Sequence, residues 1–144
     1  MLNQADQWFE YAVKAVDKLS SHEGDLSKLS TQEAEMAALW KLEVDVHNGG
    51  FIQFFCNWGI DCYRFAREAL TRIEAEELLK IVEMQFAVVD AVYQREKGNL
   101  KSYWDIPTKM TQEEIEKMDG LDGEFWERPD DICRPALEIY KGVL

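Results

Sequence analysis

Between Ala75 and Tyr93 the residues Ala75, Leu78, Leu79, Val82, Phe86, Val89 and Tyr93 fall three and four positions apart. That spacing puts them on one side of an α-helix of about five turns, longer than an ordinary strand. Ile81, Val88 and Val92 widen the apolar face, so this stretch is expected to be the central, most buried helix. Such a helix needs other helices to cover it, because no segment alternates apolar and polar residues as a strand would. With 144 residues, 47% of them hydrophobic, the chain can build one core but not two domains of ordinary size. The expectation is an all-α fold: a compact single domain over residues 1–144, of about six helices with a central buried one, without repeats or a linker.

The other helices are marked by period and by caps. Leu2, Ala5, Phe9, Ala12, Val16 and Leu19 form the stripe of a first helix. Ser30 followed by Glu33 is a capping box opening a second, which carries Met36, Leu39, Trp40 and Val44 and stops at Asn48-Gly49-Gly50. An aromatic stretch from Phe51 to Trp58 precedes Gly59, after which Tyr63, Ala66, Ala69, Leu70 and Ile73 mark another helix. Gly98-Asn99 ends the long helix, and Lys101 to Thr108 reads as irregular because Pro107 cannot extend a helix. Thr111 and Glu114 form a second capping box, for a short polar helix ending near Gly120. A last helix starts near Pro135, with Leu137, Ile139, Tyr140 and Val143 on its apolar side.

Charge narrows the function classes. Against 28 Asp plus Glu stand 16 Lys plus Arg, a net charge of −12, which disfavours direct binding to nucleic acid phosphates and to anionic membranes. A basic protein partner is the class it favours. The N-terminal residues lack the basic and apolar regions of a secretory signal, and no apolar run is long enough to span a bilayer, so a cytoplasmic location is expected. Cys56, Cys62 and Cys133 have neither the parity of a disulfide framework nor metal-site spacing; reduced thiols, no metal and no cofactor are expected.

Signatures of catalysis are missing: no G-x-S-x-G, no G-x-x-x-x-G-K and no G-x-G-x-x-G occurs. Asp119, Asp122 and Glu124 lie among glycines but lack the alternating acids and distal Glu of a calcium loop. His22 falls in a polar loop, and His47 at a helix end, where the dipole favours a positive charge. The one nucleophile and base that an enzyme reading can assemble is Cys56 with His47, beside a polar notch of Asn48, Gln53 and Asn57. A cysteine amid Phe54, Phe55 and Trp58 is more often simply buried, and a helix corner plugged into the core is the reading preferred for the string around it.

The acids themselves cluster. Glu113, Glu114, Glu116, Asp119, Asp122, Glu124, Glu127, Asp130 and Asp131 fall in one window with only Lys117 and Arg128 to offset them. Solubility alone accounts for many acidic surfaces, yet clustering carries self-repulsion, and such a patch suits a basic partner. Carboxylates four apart on a helix are separated by about 6 Å along its axis, against about 3.4 Å between phosphates of a DNA strand. A row of them imitates a phosphate track at low resolution.

The string Asn48, Gly49, Gly50, Phe51, Gln53, Phe54, Phe55 and Asn57 resembles the signature of a family of small acidic bacterial proteins, a domain of unknown function represented by a DNA-mimic protein. Weaker agreement runs through residues 67–73, the long helix, and Leu121-Asp-Gly-Glu-Phe125-Trp126, covering the chain from about Thr31 to its end. The resemblance implies a compact all-helical domain, a homodimer in the characterised type, and an acidic surface standing in for DNA before transcription factors or nucleoid proteins. It implies a structural role for the signature residues and does not carry over which carboxylates face a partner. One departure is Glu74-Ala-Glu-Glu77, where the family pattern has a glycine after Ile73; the turn there is expected to differ.

The leading expectation is thus a non-enzymatic acidic regulator that occupies the DNA-binding surface of a basic protein through residues 113–131. An immunity-type protein neutralising a basic toxin would use the same electrostatics. The Cys56/His47 enzyme is the remaining alternative. Five tryptophans leave room for an aromatic dimer surface.

Overall fold

Asn3 opens the first helix by accepting a hydrogen bond from the Asp6 backbone N–H at 2.8 Å. In the computed structural model, which describes residues 3–143, this helix is α1 (Gln4–Ser21). Its buried stripe is Trp8, Ala12, Ala15 and Leu19, shifted from the expected one. Phe9 is 51% exposed, its ring edge against Trp40, whereas Trp8 turns inward because its indole N–H has a buried acceptor in Glu43. Ala5 is exposed and Val16 half-buried, and Leu2 lies outside the described residues.

Ser30 and Glu33 form the reciprocal box that starts α2 (Thr31–Gly49). The central helix is this one, not the 75–93 stretch. Eleven of its 19 residues are buried, against seven of 21 in α4 (Glu76–Glu96). The sequence hides this, since Ala34, Ala37 and Ala38 give little amphipathic contrast and four of the buried residues are acids, Glu33, Glu35, Glu43 and Asp45.

Between them runs α3 (Phe51–Arg72), broken at Gly59, whose φ of 79° and ψ of −170° divide the aromatic segment from the second apolar one. The turn from α3 to α4 resolves the expected departure at Glu74. Glu74 takes φ 60°, with its N–H bonded to Thr71 O and that of Ala75 to Leu70 O. This is the closure in which glycine is the usual residue, here made by a glutamate.

After two 3-10 turns come α5 (Ile106–Lys109), α6 (Gln112–Trp126) and α7 (Cys133–Tyr140). Seven α-helices are described where about six are expected; the additional one is the single turn α5, with Pro107 near its start. The polar helix does not stop near Gly120. Met118, Leu121, Asp122 and Phe125 are buried at helical spacing, and that packing carries the helix through Gly120 and Gly123, which cost about 1 kcal/mol each. The described residues contain no strand, and their buried side chains form one core between α2, α3 and α4, closed by α1, α6 and α7. No described helix is long and apolar enough to cross a membrane.

Candidate functional site

The acidic window is built on α6. Thr111 and Glu114 form the expected capping box, and Arg95 of α4 forks onto the Glu114 carboxylate at 2.9 and 3.0 Å. The Arg95 hydrogen bonds are the leading cause that holds this carboxyl down at about 2. At about 100° per residue, Glu113, Glu116, Glu124 and Glu127 fall within an arc of about 80°, opposite the buried Met118, Leu121, Asp122 and Phe125. These four, with Asp119 and Asp131, are exposed and form no ion pair among the described residues.

Three of the nine carboxylates expected on that surface are engaged elsewhere. Asp122 is 7% exposed and accepts from the Phe51 backbone N–H at 3.0 Å and from Gln85 Nε2 at 2.6 Å. Burial pushes its carboxyl above the ordinary value, opposed by those two bonds. Asp130 accepts from the Leu78 N–H at 2.9 Å, and Glu114 is bound to Arg95. The cause lies at the starts of α3 and α4: Gly50 and Ala75 have no side chain able to cap, so Asp122 and Asp130 reach across to orphan N–H groups of the first turns. The contact of Asp130 with α4 brings residues 130–131 beside the α3–α4 turn, where Glu74, Glu76 and Glu77 are exposed. Glu74 and Glu76 add exposed carboxylates beside Asp130, while Glu77 pairs with Lys80 at 3.4 Å; all three were missed in the sequence because some forty residues separate them from the cluster.

The signature string surrounds a different carboxylate. Asp45 accepts from Gln53 Nε2 at 3.3 Å, Asn57 Nδ2 at 3.3 Å and Trp58 Nε1 at 3.0 Å, while Asn48 Nδ2 reaches Gln53 Oε1 at 3.5 Å. The amide nitrogens of the expected notch are thus directed at Asp45 and Gln53, while Asn48 and Asn57 are themselves exposed. Gly49 admits the Gln53 side chain, with which a Cβ would collide, and Gly50, at φ 86°, lies against the Asp122 carboxylate in the same way. Phe51, Phe54 and Phe55 are buried. Asp45 was overlooked, although Leu42 and Val46 beside it mark the apolar side of α2.

Cys56 and His47 do not pair. The Cys56 thiol donates to the Tyr103 carbonyl at 3.2 Å, and burial pushes it up to about 11. His47 packs edge-on against Phe125, with ring centroids 6.2 Å apart. Burial first, then the Arg128 guanidinium, holds its imidazole below the ordinary value. His22 is the exposed cap residue after α1. Of the five tryptophans, Trp8 is buried, Trp40 and Trp58 are half-buried, and Trp104 and Trp126 are 52% and 50% exposed.

A family model described as DMP19-like protein matches residues 27–141. The chain belongs to the DMP19-like family. The matched span contains all of the signature string, α2 to α7, and every acid of the surface described above. It begins after α1, so two partners of buried α2 carboxylates, Lys18 and Trp8, come from outside it. No curated protein and no solved structure matches this DMP19-like chain.

Proposed function

We propose that this DMP19-like protein is a non-enzymatic regulator that acts inside the cell by holding a basic protein on the acidic face of α6, in the place DNA would take. The observation that carries the reading is the row Glu113, Glu116, Glu124 and Glu127, exposed and without ion pairs among the described residues, with Lys117 the one cation on that side of the helix and Glu74 and Glu76 exposed in the turn beside Asp130. At about 1.5 Å per residue the row on α6 runs about 21 Å, the rise of about six base pairs. Its members stand about 4.5 Å and 12 Å apart along the axis, so they offer a band of negative potential and not a phosphate-by-phosphate copy. Such a band attracts a surface rich in Lys and Arg, speeds its encounter and rejects acidic proteins.

The test is a pull-down from lysate with the full chain, at low and at high salt, with captured proteins identified by mass spectrometry. The expected catch is a DNA-binding protein released by salt and by competing duplex DNA. The companion variant reverses Glu113, Glu116 and Glu124 to Lys and leaves Glu114, Asp122 and Asp130 intact, so that capture is lost while the helical spectrum is retained. A folded variant that captures the same protein equally well rejects this surface; a captured basic protein that duplex DNA does not displace rejects mimicry.

A further inference from the structure

A second feature lies on another face of α4 and does not depend on the reading above. Phe86, Asp90 and Tyr93 are four and three residues apart and share one side of the helix, while Gln85 and Arg95 turn toward α6, where they bind Asp122 and Glu114. Opposite them stand Phe55 and Ile60, on either side of the Gly59 break, and Tyr103 from the 3-10 turn before α5. These six side chains line a cavity of about 220 Å³.

The cavity is shaped by the backbone. A Cβ on Gly59 would stand 3.1 Å from Tyr103 Cε2, so the absence of a side chain there is what lets Tyr103 close against α3. The Cys56 thiol holds the Tyr103 carbonyl from the same segment. Phe55 meets Tyr103 at 4.9 Å and 55°, and Phe86 at 5.9 Å and 47°; Tyr93 meets Tyr103 at 6.1 Å and 62°. Among these lining pairs no two rings are coplanar, so they wall a concavity, while outside it Phe86 stacks on Tyr63 at 4.4 Å and 17° and Phe55 on Phe51 at 6.4 Å and 26°, which holds the two rings in place. The one charged group among the lining residues is Asp90, partly exposed and without an ion pair among the described residues.

We infer that this cavity binds a single N-alkylated ammonium group. Ring faces are negative at their centres and attract a cation within about 6 Å, and the Asp90 carboxylate adds a full charge at the rim. Walls of carbon strip water from the guest, which excludes a well-hydrated metal ion and favours an ammonium clothed in methyl groups. Lys97 and Lys101 line the adjoining cleft beyond Tyr93 and Tyr103, so a run of basic residues is repelled and one isolated ammonium on a stem is accepted. That chemistry occurs on free small molecules and on a methylated lysine side chain.

The full chain is titrated with choline, with Nα-acetyl-Nε-trimethyllysine amide, and with 3,3-dimethylbutan-1-ol, the uncharged isostere of choline, with binding read by NMR shifts. Saturable shifts at Phe55, Phe86, Tyr93 and Tyr103 are expected from at least one ammonium probe, with the isostere about tenfold weaker. Tighter binding of choline assigns the site to a free molecule, and tighter binding of the lysine derivative to a protein side chain. Tyr93→Ala is expected to weaken binding about tenfold and Asp90→Asn, the milder change, about threefold, both with unchanged helicity. Binding of neither ammonium probe, equal binding of the isostere, or affinity unmoved by both folded variants overturns the proposal.

Discussion

Glu43 is the buried carboxylate whose replacement is most informative. It is 6% exposed, and Trp8 Nε1 donates to its Oε1 at 2.9 Å. Burial raises its carboxyl from 4.5 to about 7, with Asp131 adding to the rise and Trp8 and Arg128 opposing it. Between those two values the folded chain keeps a proton that the unfolded chain has released. The stability associated with this group is therefore full below the unfolded value, falls as pH climbs, and is lost once pH passes the folded value. At about 1.4 kcal/mol per unit, the gap corresponds to about 3 kcal/mol. Glu43→Gln keeps an oxygen for the Trp8 N–H and carries no charge, and the residue borders the surface cleft lined by Trp40, Val44, His47, Asn48 and Arg128. Urea unfolding of both proteins from about pH 4 to about pH 8 is the assay. The variant is expected to match the natural chain at the acid end and to exceed it by about 2–3 kcal/mol at the alkaline end. His47 has the opposite slope, since its lowered folded value makes stability rise with pH, but it is present in both chains and cancels in the difference. A difference that does not change with pH, or a natural chain more stable than the variant at the alkaline end, refutes the reasoning.

Two further substitutions probe the signature cluster and the α3–α4 turn. Asp45→Ala removes the acceptor of Gln53, Asn57 and Trp58 and is expected to cost about 2–3 kcal/mol, with Asp45→Asn costing about half; equal denaturation midpoints would mean that packing alone holds the string. Glu74→Gly relieves a φ of 60° and is expected to raise stability by up to about 1 kcal/mol, a gain visible in thermal unfolding and contradicted by any loss.

What the sequence disclosed was local, and what it concealed was tertiary. The boxes at Ser30/Glu33 and Thr111/Glu114 close within one turn, and both are formed. The break at Gly59 was legible because glycine there separates two periodic runs. By contrast, Asp122 reads as one more acid in an acidic window, and its partner Phe51 lies 71 positions away. The clue was its spacing from Met118, Leu121 and Phe125, which puts it on the buried side of α6. Burial of α2 was hidden for a related reason. Glu35 looks like a surface residue until Arg72 forks onto it at 2.7 and 2.9 Å and the Tyr140 hydroxyl donates to it at 2.7 Å.

A count of charges treats every carboxylate as external, and here five of the 28 are buried. Glu33 and Glu35 face Lys18 and Arg72, and Glu43 is shifted toward its protonated form, which leaves Asp45 and Asp122 held by neutral donors. These interior groups fix helices in place, and salt reaches them poorly. The exposed row on α6 forms no ion pair among the described residues, its one neighbouring cation on that side being Lys117, a turn from Glu113, and it lies in solvent, where screening acts over about 8 Å at physiological ionic strength. One helix thus carries both populations, Asp122 turned to the core and Glu113, Glu116, Glu124 and Glu127 turned away from it. On the function proposed above, salt that abolishes capture of a basic partner should leave the fold standing, because the exposed carboxylates of α6 are not the one that holds it to α3.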